Sequence, residues 1–483
     1  MPDLLFGQAY YLKFDPKLWQ AQQPSAPLGT LYAAAYLRSR GRDVALFDAM
    51  LADSEAEWAL ALERTRPRIA ILYEDSFNYL SKMCLLRMRQ AALTMIEAAR
   101  VRGTTVVVSG SDATDHPNVY LRAGARAVVR GEGELTLASL VDALMNGDRL
   151  DDIAGIAHLR DGEVRRNGAR PFMRDLDDMP RPAWDLVDVD RYRQMWRRRH
   201  GYFAMNIATT RGCPFRCNWC AKPIYGQRYA VRAVANVVDE IAWLKETFAP
   251  DQLSIVDDIF GLQPGWIDAF AAQVERRQAR LPFRCLMRAD QINRDVVRAL
   301  AAAGCRMVWM GAESGSQRIL DAMEKGVTVE QIRRAAAELR DAGIQVGMFL
   351  QFGYSGETWD DIESTLALVR QAAPDDIGVS VSYPLPGTTF YDRVRAELGA
   401  KQNWVDSNDL AMMYRATYPP RFYRVLHHVV HHEFRARQLA RRVGHLMSRP
   451  SRLRVPDVHR IAAWAYHRTA LPLASYELRR LAR

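Results

Sequence analysis

Short apolar runs alternate with amphipathic helical patterns along the first third of the chain. The helical patterns include the stretch from Leu28 to Gly41 and the longer stretch from Tyr79 to Val101. The apolar runs are β-branched and four to six residues long: Asp43 to Phe47, Arg68 to Tyr73, Thr104 to Ser109 and Ala127 to Arg130. This alternation predicts a doubly wound, Rossmann-like α/β domain over residues 1–148, with any ligand at the carboxyl ends of parallel strands.

The pattern changes in residues 149–195. Asp161 and Gly162 lie between two short runs, which is typical of a β-hairpin, and a proline-rich linker follows. Six further β/α units in residues 196–398 predict a partial (β/α)6 TIM-type barrel. Its strands are expected at residues 203–209, 252–256, 283–287, 306–310, 346–352 and 377–382. The remainder, residues 399–483, predicts a basic, helical C-terminal appendix.

Charge is unevenly distributed along the 483 residues. The net charge is +10, but residues 421–483 hold 14 Arg, no Lys and three acidic residues, so the preceding part is close to neutral. We therefore expect no nucleic-acid partner, since helix-turn-helix and zinc-finger spacings are also absent from the sequence. There is no basic leader and no apolar run of about 18 residues, so we expect a cytoplasmic protein. Peripheral contact of the basic helices with the inner membrane is a further hypothesis.

Histidines add a second feature to this basic tail. His427, His428, His431 and His432 form two pairs, each spaced by four residues on a predicted helix. Such pairs can bind a metal ion, but mixed His, Arg and apolar residues are more often typical of an amphipathic surface helix.

Three of the six cysteines lie within eight residues, in TTRGCPFRCNWCAKPIYG after the first predicted barrel strand. Cys213, Cys217 and Cys220 form a C-x3-C-x2-C arrangement, which can hold three corners of a [4Fe-4S] cluster and leave the fourth iron open. The alternatives are a zinc site completed by a distant fourth ligand and three unrelated cysteines on a loop. Core thiols are expected at the other three positions: Cys84, Cys285 and Cys305.

The cysteine segment resembles the signature of the radical S-adenosylmethionine (radical SAM) superfamily, C-x3-C-x-aromatic-C, with Trp219 at the aromatic position. The resemblance implies that the three cysteines bind the cluster and that Trp219 lies against the adenine of S-adenosylmethionine. Three more segments resemble family loops: VDDIFG, GAESGSQRILDAMEKGVT and QFGYSGET, where Tyr354 and Ser355 replace the usual Phe and Pro. These segments implicate four more residues in binding S-adenosylmethionine: Asp257, Glu313, Ser314 and Gln351.

A doubly wound domain before the barrel commonly resembles the cobalamin-binding fold in this superfamily. Three segments here do so: PLGTLYAAAYLRSRGRDVALFDA, VVVSGSDATDHP and VVRGEGELTLASLVDAL. The resemblance implies cobalamin contacts from Gly29, Thr30, Ser76, Ser109, Gly110, Ser111, Glu132 and Gly133. No D-x-H-x-x-G pattern follows the second strand, so no His ligand to cobalt is expected, and His116 is the only His in the domain. The alternative is a degenerate Rossmann-like domain that binds a nucleotide or nothing.

Together, the resemblances imply an enzyme that uses a [4Fe-4S] cluster, S-adenosyl-L-methionine and cobalamin. It would generate a 5′-deoxyadenosyl radical and methylate an unactivated carbon of a small-molecule, lipid or tetrapyrrole substrate. The family resembled includes class B radical SAM methyltransferases and anaerobic magnesium-protoporphyrin IX monomethyl ester cyclases, so oxidative cyclisation or ring rearrangement is the alternative. A non-catalytic cluster or cobalamin sensor is a third hypothesis. The implied protein partner is an electron donor such as flavodoxin or ferredoxin.

Overall fold

The computed structural model describes residues 2–83, 85–401, 403–447 and 455–483. Its first sheet has seven strands: β1 (Leu4–Gly7), β2 (Val44–Leu46), β3 (Ile69–Tyr73), β4 (Thr105–Ser109), β5 (Ala127–Val129), β6 (Ile156–Arg160) and β7 (Glu163–Arg166). Their order is β2-β1-β3-β4-β5-β6-β7. The first five strands are parallel, and β6 and β7 form an antiparallel hairpin that extends the sheet beyond β5.

Helices connect the parallel strands of this sheet. They are α1 (Pro16–Ala21), α2 (Leu28–Ser39), α3 (Glu55–Thr65), α4 (Tyr79–Met83), α5 (Leu86–Arg100), α6 (Ser111–Asp115), α7 (Pro117–Arg122) and α8 (Glu134–Asn146). The central strand β3 is buried along its whole length, which explains why its sequence, IAILY, is a continuous apolar run and not an alternating one.

The second sheet has six parallel strands and two short accessory strands beside it. After helix α9 (Val189–His200), the strands are β8 (Ala204–Ile207), β9 (Thr210–Arg211), β10 (Ala230–Val231), β11 (Gln252–Ile255), β12 (Phe283–Met287), β13 (Cys305–Glu313), β14 (Gln345–Phe352) and β15 (Asp376–Val381). The sheet runs β8-β11-β12-β13-β14-β15, and β9 pairs with β10 separately. The six main strands follow chain order, as in a partial barrel.

The helices of this second unit cover its strands. They are α10 (Val234–Phe248), α11 (Trp266–Arg276), α12 (Arg294–Ala303), α13 (Gln317–Ala322), α14 (Val329–Asp341), α15 (Trp359–Ala372) and α16 (Thr389–Val394). Helix α14 shows how sequence fixes such an element. Thr328 and Gln331 form a reciprocal capping box, and the apolar positions at helical spacing are buried: Ile332, Ala335, Ala336 and Leu339.

Two long helices form the C-terminal region: α17 (Pro420–Met447) and α18 (Val455–Leu481). Helix α17 starts at Pro420, where a missing N–H costs nothing, and Glu433 joins it to α15 through a 2.5 Å ion pair with Arg370. Among the described residues, no helix is both long enough and apolar enough to cross a bilayer. The architecture confirms the predicted fold class: a doubly wound N-terminal sheet, a partial barrel and a helical C-terminus.

The structure differs from the elements predicted from the sequence at one strand and one helix, and it confirms two buried cysteines. Strand β1 was not predicted, although it lies between β2 and β3. The single helix expected from Tyr79 to Val101 is divided into α4 and α5, because the first N–H groups of α5 donate to the carbonyls of Trp404 and Val405. Cys285 and Cys305 are buried as predicted, whereas Cys84 lies outside the described residues.

The carboxyl edges of the two sheets face each other. Ser76, which follows β3, shares a 2.8 Å hydrogen bond with the Tyr225 hydroxyl, which follows β8 and β9. Lys82 on α4 forms an ion pair with Asp258, just beyond β11. Ligands of open parallel sheets bind at carboxyl ends, so the two predicted ligand sites share one interface.

Candidate active site

Asp257 holds the start of the cysteine segment. It is buried just beyond β11, and its carboxylate accepts hydrogen bonds from the N–H groups of Thr209 (2.7 Å) and Thr210 (3.0 Å) and from the Thr209 hydroxyl. Burial raises the pKa of Asp257 to about 6, although these hydrogen bonds lower it. Both carboxylate oxygens are therefore used to fix the backbone before the first cysteine.

Gly212 forms the turn into the cysteine segment. Its φ is 82°, and a Cβ there would lie only 2.5 Å from the carbonyl oxygen of Arg228, so a larger residue would clash. All three cysteines beyond it are half-buried: Cys213, Cys217 and Cys220. The N–H of Cys220 donates to the carbonyl of Cys217 at 3.2 Å, so the segment turns tightly.

Asn218 anchors the middle of the same segment. Its side-chain amide donates to Ala322 O at 2.8 Å, and its backbone N–H donates to Met323 O at 3.1 Å. Its Oδ1 accepts from the Tyr354 hydroxyl at 2.9 Å, and its carbonyl accepts from the N–H of Phe390 at 2.9 Å. These bonds connect the cysteine segment to the ends of three barrel elements.

The thiols lie in a partly apolar environment with cationic side chains nearby. Burial raises the pKa of Cys213 above its usual value and that of Cys220 to about 12, so metal binding there must release protons. Arg288 Nη1 lies 3.9 Å from Cys217 Sγ, and its guanidinium stacks 3.6 Å from the Phe215 ring centroid. Thiolates bound there would be stabilised by this positive charge.

A buried ion pair lies beside the cysteine segment. Glu313 ends β13 with a φ of 56°, and its Oε1 accepts a 2.8 Å hydrogen bond from Lys325 Nζ. Although burial favours the neutral amine, the Glu313 carboxylate raises the pKa of Lys325. Lys325 Nζ is also 5.9 Å from the Trp219 ring centroid, and Trp219 Nε1 is buried with no partner among the described residues. A polar ligand at this position would find two charges and an unused donor.

Gly311 makes room for that pair. A Cβ at Gly311 would overlap the Glu313 carboxylate and lie 2.6 Å from Lys325 Nζ. Gly311, the first glycine of the G-x-E-S-G segment, is thus required because the Glu313–Lys325 ion pair occupies the space that a side chain there would need.

Two other residues expected to bind S-adenosylmethionine make internal hydrogen bonds. Ser314 Oγ lies 3.1 Å from Thr365 Oγ1 and accepts from the N–H of Ser316. Gln351 Nε2 donates to Ser382 Oγ at 2.9 Å. All these side chains are buried or nearly so, and their assignment to a ligand stays a prediction.

Several residues that shape the site were missed by sequence reasoning: Asn218, Arg288, Lys325 and Tyr354. Lys325 lies inside a segment that the sequence singled out, but helix α13 has to fold it back onto Glu313. Tyr354 was noted as a departure from the family pattern, and that was the available signal for its contact with Asn218.

Gly29 and Thr30 of the N-terminal domain attach the start of α2 to the end of β3. The N–H of Gly29 donates to Asp75 Oδ1 at 2.9 Å, and Thr30 Oγ1 donates to Tyr73 O at 2.6 Å. Both predicted cobalamin residues therefore lie at the expected carboxyl edge, and both hold this edge together.

The predicted residues after β4 and β5 are buried at the same edge: Ser109, Gly110, Ser111, Glu132 and Gly133. A Cβ at Gly110 would lie 2.8 Å from Cβ of Glu74, and one at Gly133 would lie 2.5 Å from the Tyr73 hydroxyl. Gly110 and Gly133 thus leave space for the side chains of Glu74 and Tyr73. Contact of either glycine with a cofactor stays a prediction.

Three buried polar atoms at this edge lack a hydrogen-bond partner among the described residues: Gln8 Nε2, Glu74 Oε2 and Ser81 Oγ. Glu74 and Ser81 line one small cavity together with Ser111. Burial raises the pKa of Glu74 to about 8, although the N–H of Ala9 donates to its Oε1 at 2.9 Å. Because buried polar groups are rarely left unpaired, these atoms favour a polar ligand at the edge.

Arg211 links the cysteine segment to the N-terminal domain. It precedes Gly212, and its guanidinium donates to Glu132 Oε1 at 2.8 Å and to Glu134 Oε1 at 2.7 Å. Arg228 donates to the other oxygen of Glu132 at 2.9 Å. The side chains of Arg211 and both glutamates are at most 5% exposed, so this is a buried ionic network between the two predicted cofactor sites.

Among the described residues, the histidines that the sequence singles out form no metal-binding cluster. His116 is half-buried at the end of α6, where burial lowers its pKa. On the tail, His432 Nδ1 lies 2.9 Å from His467 Nδ1 of the neighbouring helix, and the rings of His427 and His431 are 4.4 Å apart. Within the described ranges, no three His, Cys, Asp or Glu side chains are arranged to hold one metal ion. A cubane cluster differs from one ion because each thiolate binds a separate iron.

Comparison with known proteins connects this geometry to a family. The Radical SAM superfamily pattern matches residues 207–369, which include the cysteine segment. An uncharacterized methyltransferase of Pyrococcus horikoshii is 29% identical over 387 residues, covering 78% of this chain and 80% of that protein. The anaerobic magnesium-protoporphyrin IX monomethyl ester cyclase of Rubrivivax gelatinosus is 27% identical over 388 residues, covering 78% of this chain and 66% of the cyclase.

A solved structure shares most of this fold. The radical S-adenosylmethionine methyltransferase TsrM from Kitasatospora setae, with cobalamin and a [4Fe-4S] cluster bound, has a TM-score of 0.68 at 21% identity. The match covers 82% of this chain and 78% of TsrM. At this level of identity the likeness shows a common fold over the matched part of the two chains.

Proposed function

The chain is a radical SAM enzyme, as its sequence predicts, with the superfamily's domain at residues 207–369, and from this premise we propose that it is a cobalamin-dependent methyltransferase. It would methylate an unactivated carbon of a small-molecule, lipid or tetrapyrrole substrate in the cytoplasm. Its membership of an enzyme superfamily leaves the non-catalytic sensor hypothesis without support.

The position of three thiols at the junction of the two sheets carries this proposal. Cys213, Cys217 and Cys220 lie on one segment beyond the carboxyl end of β8 and β9. Arg211, just before them, is paired with Glu132 of the facing domain. Methyl transfer from a carrier to a substrate radical needs both cofactors at one substrate, and this junction brings their two predicted sites together.

The donor set of the cysteine segment fits an iron–sulfur cluster. Cys213, Cys217 and Cys220 would each bind one iron, leaving the fourth for S-adenosylmethionine. When bound, the cluster supplies the electron for reductive cleavage of S-adenosylmethionine, and cobalamin supplies the transferable methyl group. Arg288 donates toward Cys217 Sγ, and positive charge at a cluster sulfur raises the reduction potential.

The Glu313–Lys325 pair and Trp219 would bind S-adenosylmethionine. The methionine moiety carries an ammonium and a carboxylate group, and the buried pair presents one charge of each sign. Trp219 offers a ring for the adenine and an indole N–H without a partner in the described structure. Asp257 acts as a positioning residue, since its oxygens are already engaged by Thr209.

The carboxyl edge of the first sheet offers hydrogen-bonding groups that suit cobalamin. The corrin ring carries peripheral amides that both donate and accept hydrogen bonds. Gln8 Nε2, Glu74 Oε2 and Ser81 Oγ provide buried groups of both kinds at that edge, and none of them has a partner in the part of the chain that the structure describes. Asp48, where a cobalt-ligand loop would begin, instead accepts a 2.7 Å hydrogen bond from the Tyr192 hydroxyl. We therefore propose that the cobalt has no histidine ligand from this loop.

Oxidative cyclisation is the second candidate reaction, favoured by the similarity to the Rubrivivax gelatinosus cyclase. Both reactions use the same binding groups, and they differ in what happens after hydrogen is taken from the substrate. Their products therefore separate them better than their sites do.

The proposal is tested by the products of anaerobic turnover. The full chain is reconstituted with iron, sulfide and cobalamin and given S-adenosylmethionine, reduced flavodoxin or ferredoxin as the proposed electron donor, and candidate lipids or tetrapyrroles. Methyl transfer predicts both S-adenosylhomocysteine and 5′-deoxyadenosine. If 5′-deoxyadenosine forms without S-adenosylhomocysteine, methyl transfer is excluded and cyclisation is favoured.

Two single cysteine variants provide a test and its matched control. Cys217→Ala is expected to abolish 5′-deoxyadenosine formation, whereas Cys305→Ala, which changes a buried thiol of the barrel core, is expected to retain it. Equal loss in both variants would mean that the cysteine segment has no special role.

A further inference from the structure

Helix α18 exposes an apolar face. Four large side chains on it are between 61% and 76% exposed: Val458, Tyr466, Leu473 and Tyr476. Their spacings of eight, seven and three residues place them on one side of a helix with 3.6 residues per turn. Exposed Ala462 and Ala465 lie on the same side. We call this stripe the outer face of α18.

The opposite side of α18 is already covered. It packs on α17, with His432 and His467 in contact at 2.9 Å and Arg421 paired with Glu477. Helix α17 in turn packs on α15, where Glu433 and Arg370 form an ion pair. Helix α18 is thus an outer layer on the barrel, and no described residue covers its outer face.

Positive charge lies along one edge of this face and at its C-terminal end. Arg468 and Arg479 lie beside it, Arg480 follows at its end, and all three are exposed. Within the described ranges, none of these three arginines has an ion-pair partner. The acidic residue closest to them in sequence, Glu477, is paired with Arg421.

We propose that the outer face of α18 binds the surface of an anionic lipid bilayer, with the helix lying in the plane of the interface. Exposed apolar side chains enter the acyl boundary, tyrosines occupy the headgroup level, and flanking arginines contact lipid phosphates. This contact needs no spanning segment, in agreement with the absence of one among the described residues.

The charges favour this occupant over two others. A second copy of the chain would place one arginine-rich tail against another, since residues 421–483 hold 14 Arg and three acidic residues. A nucleic acid would satisfy the arginines but leave the apolar stripe in water. A bilayer with anionic headgroups satisfies both features at once.

Flotation with vesicles tests the proposal on the full chain. We expect binding to equimolar phosphatidylglycerol and phosphatidylcholine vesicles, weak binding to pure phosphatidylcholine vesicles, and weakening by salt. Replacing Arg468, Arg479 and Arg480 together by Gln is expected to weaken binding by roughly a hundredfold, because each arginine near an anionic surface adds about fivefold.

The apolar contribution has a matched control. Leu473→Glu on the outer face of α18 is expected to weaken vesicle binding about tenfold, because one buried leucine contributes that much. Leu60→Glu, at a leucine of α3 that is 62% exposed, is expected to have no effect. Far-ultraviolet circular dichroism and cluster content establish that both variants fold.

Three outcomes would overturn the proposal. Equal binding of wild type and Leu473→Glu to anionic vesicles would remove the role of α18. A dimer in light scattering that Leu473→Glu dissociates would assign the face to a second copy. Salt-sensitive binding to a DNA or RNA oligonucleotide, tighter than binding to vesicles, would assign the arginines to nucleic acid.

Discussion

Asn218 is the residue through which the barrel fixes the cysteine segment. Its five hydrogen bonds come from both its backbone and its amide, and they reach Ala322, Met323, Glu324, Tyr354 and Phe390. The middle of the cysteine segment is held to the barrel by these bonds. Its order therefore depends on such polar contacts.

Tyr354 provides the first residue-level prediction. Its hydroxyl donates to Asn218 Oδ1 and lies 2.9 Å from Ala322 O, so Tyr354→Phe leaves the buried Asn218 Oδ1 without this donor. We expect the free energy of unfolding to fall by about 1 kcal/mol and iron to be lost faster to a chelator. Tyr36→Phe, which removes a hydroxyl contacted by Arg40 at 3.4 Å, is the surface control. Equal chelation rates in the wild type and Tyr354→Phe would contradict the anchoring role.

Glu74 gives a prediction for pH. Burial raises its pKa from 4.5 to about 8, so the folded state favours the protonated acid. This stabilisation is complete below about pH 4.5 and is lost as pH rises toward 8, with a slope of roughly 1.4 kcal/mol per pH unit. Glu74→Gln is expected to flatten that slope in denaturant unfolding of the cobalamin-free protein.

A second buried acid contributes to the same pH dependence, and an exposed acid provides the control. Burial also raises the pKa of Glu357 to about 8, so part of the slope is expected to remain in Glu74→Gln. Glu163→Gln, at an exposed position of β7, is expected to keep the full slope. If Glu74→Gln and Glu163→Gln have the same slope, Glu74 is charged in the folded protein at neutral pH.

Local spacing decided which residues were predictable. The cysteines lie within eight residues, so their common site follows from sequence alone. The partners Asn218 and Tyr354 are 136 residues apart, and Arg211 and Glu132 are 79 apart, so only the fold brings them together. Asp257 is similar: its hydrogen bonds form because the fold buries it at the end of a strand, and the neighbouring sequence does not predict them.

At the scale of elements, the central strands and long helices followed from their patterns, and the exceptions have tertiary causes. Strand β1 has only four residues, yet it is buried between two neighbours. The break between α4 and α5 is stabilised by carbonyls of residues 404 and 405, far along the chain. The hairpin was predicted at Asp161 and Gly162, but its pairing with β5 depends on the sheet.

The ionic network between β9 and the start of α8 is an element-level contact that mutation can test. Arg211→Gln leaves Glu134 without its cation and Glu132 with Arg228 alone, all in a buried environment. We expect a loss of about 3 kcal/mol or more in the free energy of unfolding.

A surface ion pair provides the control for Arg211. Arg149→Gln removes the pair with Asp151, where the arginine side chain is 76% exposed, and is expected to change stability by about 0.5 kcal/mol or less. Thermal unfolding by calorimetry compares the two variants. Similar losses for both would show that the buried network contributes no more than an exposed pair.

At the scale of the whole molecule, two parallel sheets meet at their carboxyl edges. The contacts of Ser76 with Tyr225, Lys82 with Asp258 and Arg211 with Glu132 all cross this junction. The helical tail adds a basic outer layer on the far part of the barrel. The proposed reaction at the junction and the proposed membrane contact of the tail therefore use separate parts of the molecule.

The proposed function depends on a cluster held by Cys213, Cys217 and Cys220, with one iron free for S-adenosylmethionine. Electron paramagnetic resonance of the reconstituted, reduced protein tests it most directly, with about four iron and four sulfide per chain expected. Adding S-adenosylmethionine should change the signal of the wild type and of Cys305→Ala, and Cys217→Ala should lack it. Bound zinc in place of iron, or a cluster signal unchanged by S-adenosylmethionine, would contradict the claim.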